Sequence, residues 1–545
     1  MRIVRIGGEA TELHPAEEIG AKAANLARMA ALGLPVPPAF VLPVKLCADI
    51  IGKHAHAKQH MRDGLKEGIA FLEEATGKRF GDRRRPLLVS VRSGAARSMP
   101  GMLDTVLNVG CTANAVHGLI RATGRPRLAW DCRRRFLESF GETVLGFDPA
   151  SFAARLAELI AAEGVANDRE LDSEALERLA ADEQALMEDL DDGWLGDAVV
   201  QLEAAAQAVY RSWMSERAQT YRKLQQLEDL EGTAVTVQAM VFGNGGLASG
   251  AGVAFSRDPS TGAACPMIDL VLDAQGEDVV SGRRTPDTDE AIARALPTTE
   301  AELRDVLKRL EREFGDVQDV EFTVEDGKLW ILQTRSAKRT PRAAVRIAID
   351  LVQEGLITQQ QALERIAGID LAALTETSLV SAGEPVARGI GASGGIGIGR
   401  AAFDSGSAER LSAAGEPIIL LRPDTSTADV AGFAVAAGIV TAVGARTSHA
   451  ALVARQMGKP CVVGCNELKI DFDARQAQLA GQVLSEGDWI TIEGDAGSIY
   501  LGRGEIAERR PEAELAEIAR WRSAADEPLL LNTAQGSQPR TAAAQ

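Results

Sequence analysis

Apolar and polar positions along the chain follow two different periods. Apolar residues spaced three to four apart predict amphipathic helices before Gly33 and from about 115 to 230. A short apolar run predicts a buried strand at 87–91, and strict alternation on both sides of Glu325-Asp326-Gly327 predicts a β-hairpin. From about 381 to 510, glycine-rich strands alternate with helices. The pattern therefore predicts several domains of mixed α/β and α+β type.

Two regions connect or end these domains. We expect a helical linker at 341–380, whose second helix starts at the capping box formed by Thr358 and Gln361. The last segment, 511–545, ends without a periodic pattern, so we expect a linker remnant and a disordered tail there.

Composition narrows the class of protein. The chain of 545 residues carries a net charge of −18, which argues against a broad nucleic-acid surface. Its six cysteines form no C-x-x-C pair and indicate reduced thiols. The sequence has no run of apolar residues that could cross a bilayer and no signal-peptide pattern. We therefore expect a cytoplasmic protein that uses neither membrane nor nucleic acid.

The stretch GARTSHAALVARQM places His449 at the start of a short amphipathic helix. Thr447 or Ser448 would cap this helix, and its free N–H groups and dipole would favour an anion. A neutral imidazole there can act as a nucleophile toward a phosphoryl group. The alternative is a structural, half-buried histidine.

Two further features suit phosphate chemistry. The loop GNGGLASGAG has five glycines in ten residues, among them Gly243, Gly245, Gly246 and Gly250, which would let backbone N–H groups approach phosphates. In the hairpin, Asp319 and Glu321 share one strand face, and Gln333 and Arg335 share a face of the other. Their oxygens suit Mg²⁺, and the guanidinium suits phosphate. A flexible hairpin tip and a solvated outer face are the alternatives.

The sequence resembles the pyruvate, phosphate dikinase family. The motifs that carry the resemblance cover nearly all of 1–510 in the family's order: GAKAANLARMAALGLPVPPAF, LLVSVRSGAARSMPGMLDTVLNVG, TAVTVQAMVFGNGGLASGAGVAFSRDPSTG, DAQGEDVVSGRRTP, QDVEFTVEDGKLWILQTRSAKRT and TSHAALVAR. The resemblance implies an ATP-grasp nucleotide-binding domain at 1–340 with a helical insertion at about 115–230. The helical linker at 341–380 and a swivelling phosphohistidine domain at 381–510 follow.

The resemblance also implies roles for the motif residues. His449 would be the catalytic acceptor. ATP would be bound by the four loop glycines and by Lys22, Arg92, Glu277 and Arg335. Mg²⁺ would be held by Asp319, Glu321 and Gln333. ATP would pyrophosphorylate His449 with release of AMP, and inorganic phosphate would then leave as pyrophosphate. Pyruvate would be converted to phosphoenolpyruvate through a separate barrel domain, because the family's barrel would begin where this chain stops. A homodimer and a regulatory kinase that acts at Thr447 are further expectations.

The chain departs from the family at several positions. Ala21 and Ala23 stand beside Lys22 where glycines are usual, so we expect a stiffer first phosphate loop. Gly394 replaces a common proline, and Arg446 replaces an apolar residue. A pyruvate, water dikinase-like enzyme and a phosphocarrier or regulatory protein that makes only the phosphohistidine remain alternatives. A rifampin-phosphorylating relative is disfavoured because only about 40 residues of linker intervene.

Overall fold

The protein is a mixed α/β molecule of several sheets, which confirms the predicted fold class. The computed structural model describes residues 2–8, 11–54, 56–97, 99, 102–191, 193–280, 286–287, 289–424, 429–446 and 448–534. The strands are β1 Val4–Ile6, β2 Ala39–Leu42, β3 Arg79–Phe80, β4 Pro86–Leu87, β5 Val89–Ala95, β6 Thr105–Val109, β7 Thr233–Ala239, β8 Gly250–Phe255, β9 Met267–Leu272, β10 Gln318–Glu325, β11 Lys328–Ser336, β12 Glu376–Ser381, β13 Ala387–Arg388, β14 Ile390–Ser393, β15 Ile396–Ala402, β16 Ile418–Arg422, β17 Gly438–Thr441, β18 Cys461–Val463, β19 Leu468–Asp471, β20 Gln476–Leu479, β21 Gln482–Ser485, β22 Trp489–Glu493, β23 Ser498–Leu501 and β24 Glu505–Arg509. The α-helices are α1 Ala16–Ile19, α2 Ala21–Ala31, α3 Lys45–Ile51, α4 Ala57–Thr76, α5 Ala113–Thr123, α6 Pro126–Phe140, α7 Pro149–Glu163, α8 Ser173–Met187, α9 Ala198–Ser212, α10 Glu216–Leu224, α11 Gly276–Val280, α12 Asp289–Ala295, α13 Thr299–Phe314, α14 Pro341–Gln353, α15 Gln359–Ile366, α16 Ser405–Ala413, α17 Val430–Val435, α18 His449–Met457 and α19 Glu512–Ala534.

The chain forms two compact units, and it passes between them more than once. The first unit contains Met1–Ala251, Leu272–Ala274 and Glu321–Arg335, and the second contains Gly252–Val271, Gln275–Val320 and Ser336–Gln545. The four contiguous domains expected from the sequence stay a prediction, since these units are assembled from separated segments.

The first unit is built on a five-stranded antiparallel sheet with the order β1-β2-β7-β5-β6. Its largest core cluster includes Phe40 on β2 together with Phe136, Phe140 and Trp194. Burial of each such side chain contributes on the order of 2 kcal/mol, so truncation of Phe136 to alanine should cost roughly 3–5 kcal/mol. The predicted helical stretch between β6 and β7 is confirmed by α5 to α10.

The predicted hairpin is confirmed and consists of β10 and β11. Asp326 and Gly327 at its tip both have positive φ, 50° and 78°. This combination defines the type I′ geometry that matches the twist of two antiparallel strands. The two strands are neighbours in a four-stranded sheet with the order β11-β10-β8-β9.

The second unit contains an eight-stranded mixed sheet with the order β13-β23-β22-β15-β16-β17-β18-β14. Strands β15 to β18 are parallel, and α16, α17 and α18 supply one of the two apolar cores that cover it. Helix α18 therefore begins just beyond the carboxyl end of a parallel strand, β17. That end of a parallel sheet is where open α/β folds place their ligand sites.

The two helices and the capping box predicted for 341–380 are confirmed, whereas the role of this stretch as a linker stays a prediction. Helices α14 and α15 occupy this stretch, and Thr358 and Gln361 form the expected reciprocal capping box. Beyond 511 the chain forms α19 as far as Ala534, and the rest of the expected disordered tail lies outside the described residues. Within the described ranges, no helix combines the length and apolar composition needed to cross a bilayer.

Candidate functional site

Lys22 lies in the first turn of α2, which follows its N-cap residue Gly20. A side chain at Gly20 would place its Cβ 2.1 Å from the Gly94 carbonyl oxygen, so only glycine lets the helix begin so close to β5. Ala21 and Ala23 lie within the helix itself, where alanine is the most favourable residue. The expected stiffening therefore concerns a helix start rather than a loop.

The sequence predicted that the strand ends at residue 91, which would place Arg92 in the following loop. Instead β5 extends to Ala95, and Arg92 lies within this strand. Its side chain is half-buried, and its buried Nε makes no hydrogen bond within the described part of the chain. Burial lowers the pKa of Arg92, and the Glu321 carboxylate raises it. A desolvated guanidinium with a free donor is suited to an anionic ligand.

Lys22, Arg92, Glu321 and Arg335 act on one another electrostatically. Desolvation by the surrounding protein lowers the pKa of Lys22, although part of its side chain is exposed to solvent. Glu321 raises this pKa, and Arg92 and Arg335 lower it further. The structure thus brings three predicted phosphate-binding cations together around one carboxylate. This excess of positive charge favours a polyanion such as the phosphate chain of a nucleotide.

Gln333 joins this cationic cluster through β11. Its side-chain amide donates to Glu321 Oε1 at 3.3 Å, and Lys22, Arg92 and Gln333 line one small cavity. Asp319 is buried two positions before Glu321 on β10, and its charge acts on the Arg455 guanidinium. Within the described residues, no three His, Cys, Asp or Glu side chains are grouped to hold a metal. The set of Asp319, Glu321 and Gln333 offers two carboxylates and one amide, and its metal role stays a prediction.

The glycine-rich loop is held by contacts that the sequence did not reveal. Gly243 lies so close to Ala274 that a Cβ would be 2.2 Å from the Ala274 carbonyl oxygen. The Gly246 N–H donates to Asp273 Oδ1 at 2.9 Å, so this N–H is already engaged. Gly245 and Gly250 are buried beside them. The loop is therefore a folded structure rather than a loose hairpin tip.

An ion pair borders this loop. Arg125 donates to both carboxylate oxygens of Asp326, at 3.1 and 2.7 Å, and the Asp326 N–H donates to Ser249 Oγ at 3.0 Å. These contacts connect the helical insertion and the hairpin turn to the glycine loop. No local motif marks Arg125, because its partner is 201 positions away in sequence.

Glu277 lies in the first turn of α11 and is half-buried. It belongs to the second compact unit, and its contact with a nucleotide stays a prediction.

The helix that begins at His449 is confirmed as α18, but its predicted cap is wrong for Ser448. Ser448 occupies the N-cap position without a side-chain cap hydrogen bond, and its buried hydroxyl has no partner within the described residues. Thr447, the other predicted cap and the expected target of a kinase, lies outside the described residues. The Ser448 hydroxyl therefore leaves unused the N–H groups of the first turn of α18 that an N-cap side chain would accept from.

The surroundings of His449 favour its neutral form. Its ring is half-buried, and its Nε2 is buried without a hydrogen bond in the part of the chain that the structure describes. Burial lowers the pKa of His449, against the opposite effects of Asp429 and Asp424. The Phe433 ring lies 6.2 Å from the imidazole, centroid to centroid. A neutral imidazole with a free ring nitrogen is suited to nucleophilic attack.

The loop before His449 is fixed by two arginines. The Arg446 N–H donates to Asp269 Oδ2 at 2.9 Å, and the Arg446 guanidinium pairs with the same carboxylate. Arg455 is fully buried and donates to the Ala392 carbonyl at 2.7 Å and to the Arg446 carbonyl. The unusual Arg446 thus has a structural partner that its position in the motif did not indicate.

Comparisons with known proteins identify one family over most of the chain. The family model described as "Pyruvate phosphate dikinase, AMP/ATP-binding domain" matches residues 53–300 and 289–356. The model described as "PEP-utilising enzyme, mobile domain" matches residues 414–497, which include His449.

Similar curated proteins are found in bacteria and plants. The chain is 41% identical over 509 residues to a pyruvate, phosphate dikinase of Clostridium symbiosum, covering 92% of this chain and 58% of that protein. It is 41% identical over 529 residues to that of Rhizobium meliloti (strain 1021), covering 93% and 58%. It is 40% identical over 513 residues to the chloroplastic pyruvate, phosphate dikinase 1 of Arabidopsis thaliana, covering 93% and 53%. The chain thus spans between half and two thirds of the length of these relatives.

Proposed function

The chain belongs to the pyruvate, phosphate dikinase family, and on this premise we propose that it transfers phosphoryl groups from ATP to His449. The observation that carries the proposal is a half-buried imidazole at a helix N-terminus, with a lowered pKa and a buried Nε2 that has no hydrogen-bond partner among the described residues. A structural histidine in such a place would be expected to use that nitrogen in a hydrogen bond.

The cationic cluster would bind the phosphates of ATP. Lys22, Arg92 and Arg335 supply positive charge, and the folded glycine loop of Gly243 to Gly250 would cover the phosphates with its remaining N–H groups. Glu277 would help to hold the nucleotide.

The chain also offers oxygen ligands of the kind that Mg²⁺ prefers, at Asp319, Glu321 and Gln333. Mg²⁺ bound there would neutralise charge on the phosphates. The donor chemistry fits the ion.

The proposed reaction has two steps. A nitrogen of the His449 imidazole attacks the β-phosphorus of ATP, and the bond from that phosphorus to the oxygen bridging to the α-phosphate breaks, so AMP leaves. An oxygen of inorganic phosphate then attacks the terminal phosphorus of the histidine-bound pyrophosphoryl group. Pyrophosphate leaves, and one phosphoryl group remains on His449. Both steps depend on positioning and on charge neutralisation, which the cluster can supply.

We further propose that phosphohistidine serves the conversion of pyruvate to phosphoenolpyruvate, as the names of the relatives indicate. The separate barrel domain, the homodimer, the regulatory kinase at Thr447 and the cytoplasmic location stay predictions.

Incubation with ATP labelled in the β-phosphate tests the proposal. We expect wild type to retain label and the His449→Asn variant to retain none, with His60→Asn, an exposed histidine, as the matched control. Equal labelling of wild type and His449→Asn would contradict the proposal.

The requirement for phosphate separates the two dikinase types. We expect pyrophosphate to form only when inorganic phosphate is added. Release of phosphate from the enzyme in water alone would instead support a pyruvate, water dikinase. A stable phosphohistidine that does not pass to pyruvate even when the barrel domain of a related dikinase is added would support a phosphocarrier.

A further inference from the structure

Lys459 joins the C-terminal ends of two helices. It follows Gly458, the left-handed residue that ends α18, and its backbone N–H donates to the Ala454 carbonyl at 2.9 Å. Its ammonium donates to three other carbonyls at the end of α17: Phe433 at 2.8 Å, Ala434 at 2.6 Å and Ala436 at 2.6 Å. All three N–H donors of the ammonium are therefore used.

Helix α17 depends on such a contact. It has six residues, which is too short for stability from its own hydrogen bonds. Its last carbonyls have no helical partners and carry the negative end of the helix dipole. A cation that binds three carbonyls in this region stabilises the end of α17. Burial lowers the pKa of Lys459, which indicates that the ammonium has exchanged water for these oxygens.

Helix α17 carries the groups that surround the candidate nucleophile. Phe433 is fully buried and has its ring against His449, and Asp429, at the N-cap, acts on the imidazole through its charge. Asp429 is itself held by Arg422, whose Nε lies 3.2 Å from Oδ1. The position of α17 thus determines both how far water can reach the His449 ring and the electrostatic field that acts on it.

We propose that Lys459 is a positioning residue for His449 and acts through α17. This inference rests on the proposed role of His449 as the phosphoryl acceptor. Lys459 holds the C-terminal end of α17 against that of α18, so that Phe433 excludes water from the imidazole while Asp429 stays at its N-terminal end.

Titration of His449 by NMR tests the proposal directly. Protein labelled with carbon-13 only at the histidine Cε1 atoms gives six signals at most, and the His449→Asn variant identifies the signal of His449. In Lys459→Met we expect the pKa of His449 to rise toward its ordinary value, because a loosened α17 lets water reach the ring. We expect the charges that act on the ring to stay in place, because Arg422 holds Asp429 and Asp424 lies outside α17. An unchanged titration of His449 in folded Lys459→Met would overturn the proposal.

Two conservative variants cover the case in which Lys459→Met does not fold. Lys459→Arg keeps a cation with several donors, and Lys459→Gln keeps two donors without the charge. We expect the pKa of His449 to increase in the order wild type, Arg, Gln. The same pKa in all three proteins would overturn the proposal. Lys469→Met, which removes an exposed lysine from β19, is the matched control, and an equal shift there would also contradict it.

Phosphorylation kinetics add an independent measurement. We expect Lys459→Met to slow single-turnover labelling of His449 by roughly 10- to 100-fold with unchanged affinity for ATP, because misplacement of a nucleophile affects the chemical step. A loss of ATP affinity with an unchanged rate would contradict this role. If wild type takes no label while His449 titrates as expected, the proposed function fails and the positioning role stands.

Discussion

Desolvation lowers pKa values both in the cationic cluster and at His449, but the consequence for charge differs between the two regions. In the cluster, desolvation by the surrounding protein lowers the pKa of Lys22 and Arg92, and only Glu321 among the causes of these shifts opposes it. Three cations around one carboxylate leave a positive excess for a polyanion. At His449, burial instead favours the neutral ring, although Asp429 and Asp424 oppose it. The first region therefore keeps an excess of positive charge that would suit a polyanion, and the second keeps the imidazole neutral.

The two regions also differ in how their residues are assembled. The cluster combines a helix start, a central strand and a hairpin, so its residues run from Lys22 to Arg335. The residues around His449 come from one stretch, from Arg422 to Lys459. Loss of one cluster residue should therefore affect ligand binding, while changes near His449 should act on the ring through its immediate neighbours.

The largest expected effect comes from removal of charge in the cluster. Lys22→Met and Arg92→Met should each slow single-turnover labelling of His449 by about 100-fold or more, because each removes a charge that would face the reacting phosphates. The pKa of His449 should stay unchanged. The measurement is quench-flow labelling with β-labelled ATP, followed by histidine NMR.

The matched control for these two variants is Lys58→Met, which removes an exposed lysine of α4. A change in rate of less than about threefold in Arg92→Met would contradict the assignment of the cluster to phosphate binding.

Local signals in the sequence predicted the hairpin, α18 and the capping box of α15. Each depends on residues a few positions apart, such as Asp326 and Gly327 or Thr358 and Gln361. His449 itself was predicted to be a nucleophile toward a phosphoryl group, because its position at a helix start, which restricts its chemistry, can be recognised from the sequence. The family resemblance then supplied the cluster residues Lys22 and Arg92.

Contacts that depend on tertiary packing could not be predicted in this way. The sequence Ser448-His449 has the same form whether or not the serine hydroxyl caps the helix, and here it does not. Lys459 carries no mark that separates it from a solvated lysine, because its carbonyl partners lie 23 to 26 positions earlier. Arg125 and Asp326 meet only once the insertion and hairpin have folded.

A smaller effect should follow from Asp429→Asn, which tests the electrostatic half of the comparison. Because Asp429 raises the pKa of His449, its removal should lower that pKa further. The acidic limb of the phosphorylation rate should then move to lower pH, while the rate at mildly alkaline pH changes by no more than about twofold. The rate is measured as a function of pH, with exposed Asp473→Asn as the control. A limb that moves to higher pH would contradict this electrostatic interpretation.

The smallest effect concerns stability alone. It tests whether burial also disfavours the charged form of a side chain at a position for which no ligand is proposed. Glu183 in α8 is fully buried, and burial and the neighbouring Glu138 raise its pKa to about 9 from the ordinary 4.5. Its folded-state pKa is raised, so its contribution to stability is complete below about pH 4.5 and is lost as the pH rises toward about 9.

Glu183→Gln should therefore increase the free energy of unfolding by roughly 1–3 kcal/mol at mildly alkaline pH and change it little in acid. Urea unfolding across this pH range measures the effect, and Glu177→Gln, on the exposed side of the same helix, is the control. Labelling of His449 should be the same in both variants, since neither residue belongs to the cluster or to the surroundings of the ring. If the free energy of unfolding of Glu183→Gln depends on pH as that of wild type does, another group is responsible for the dependence.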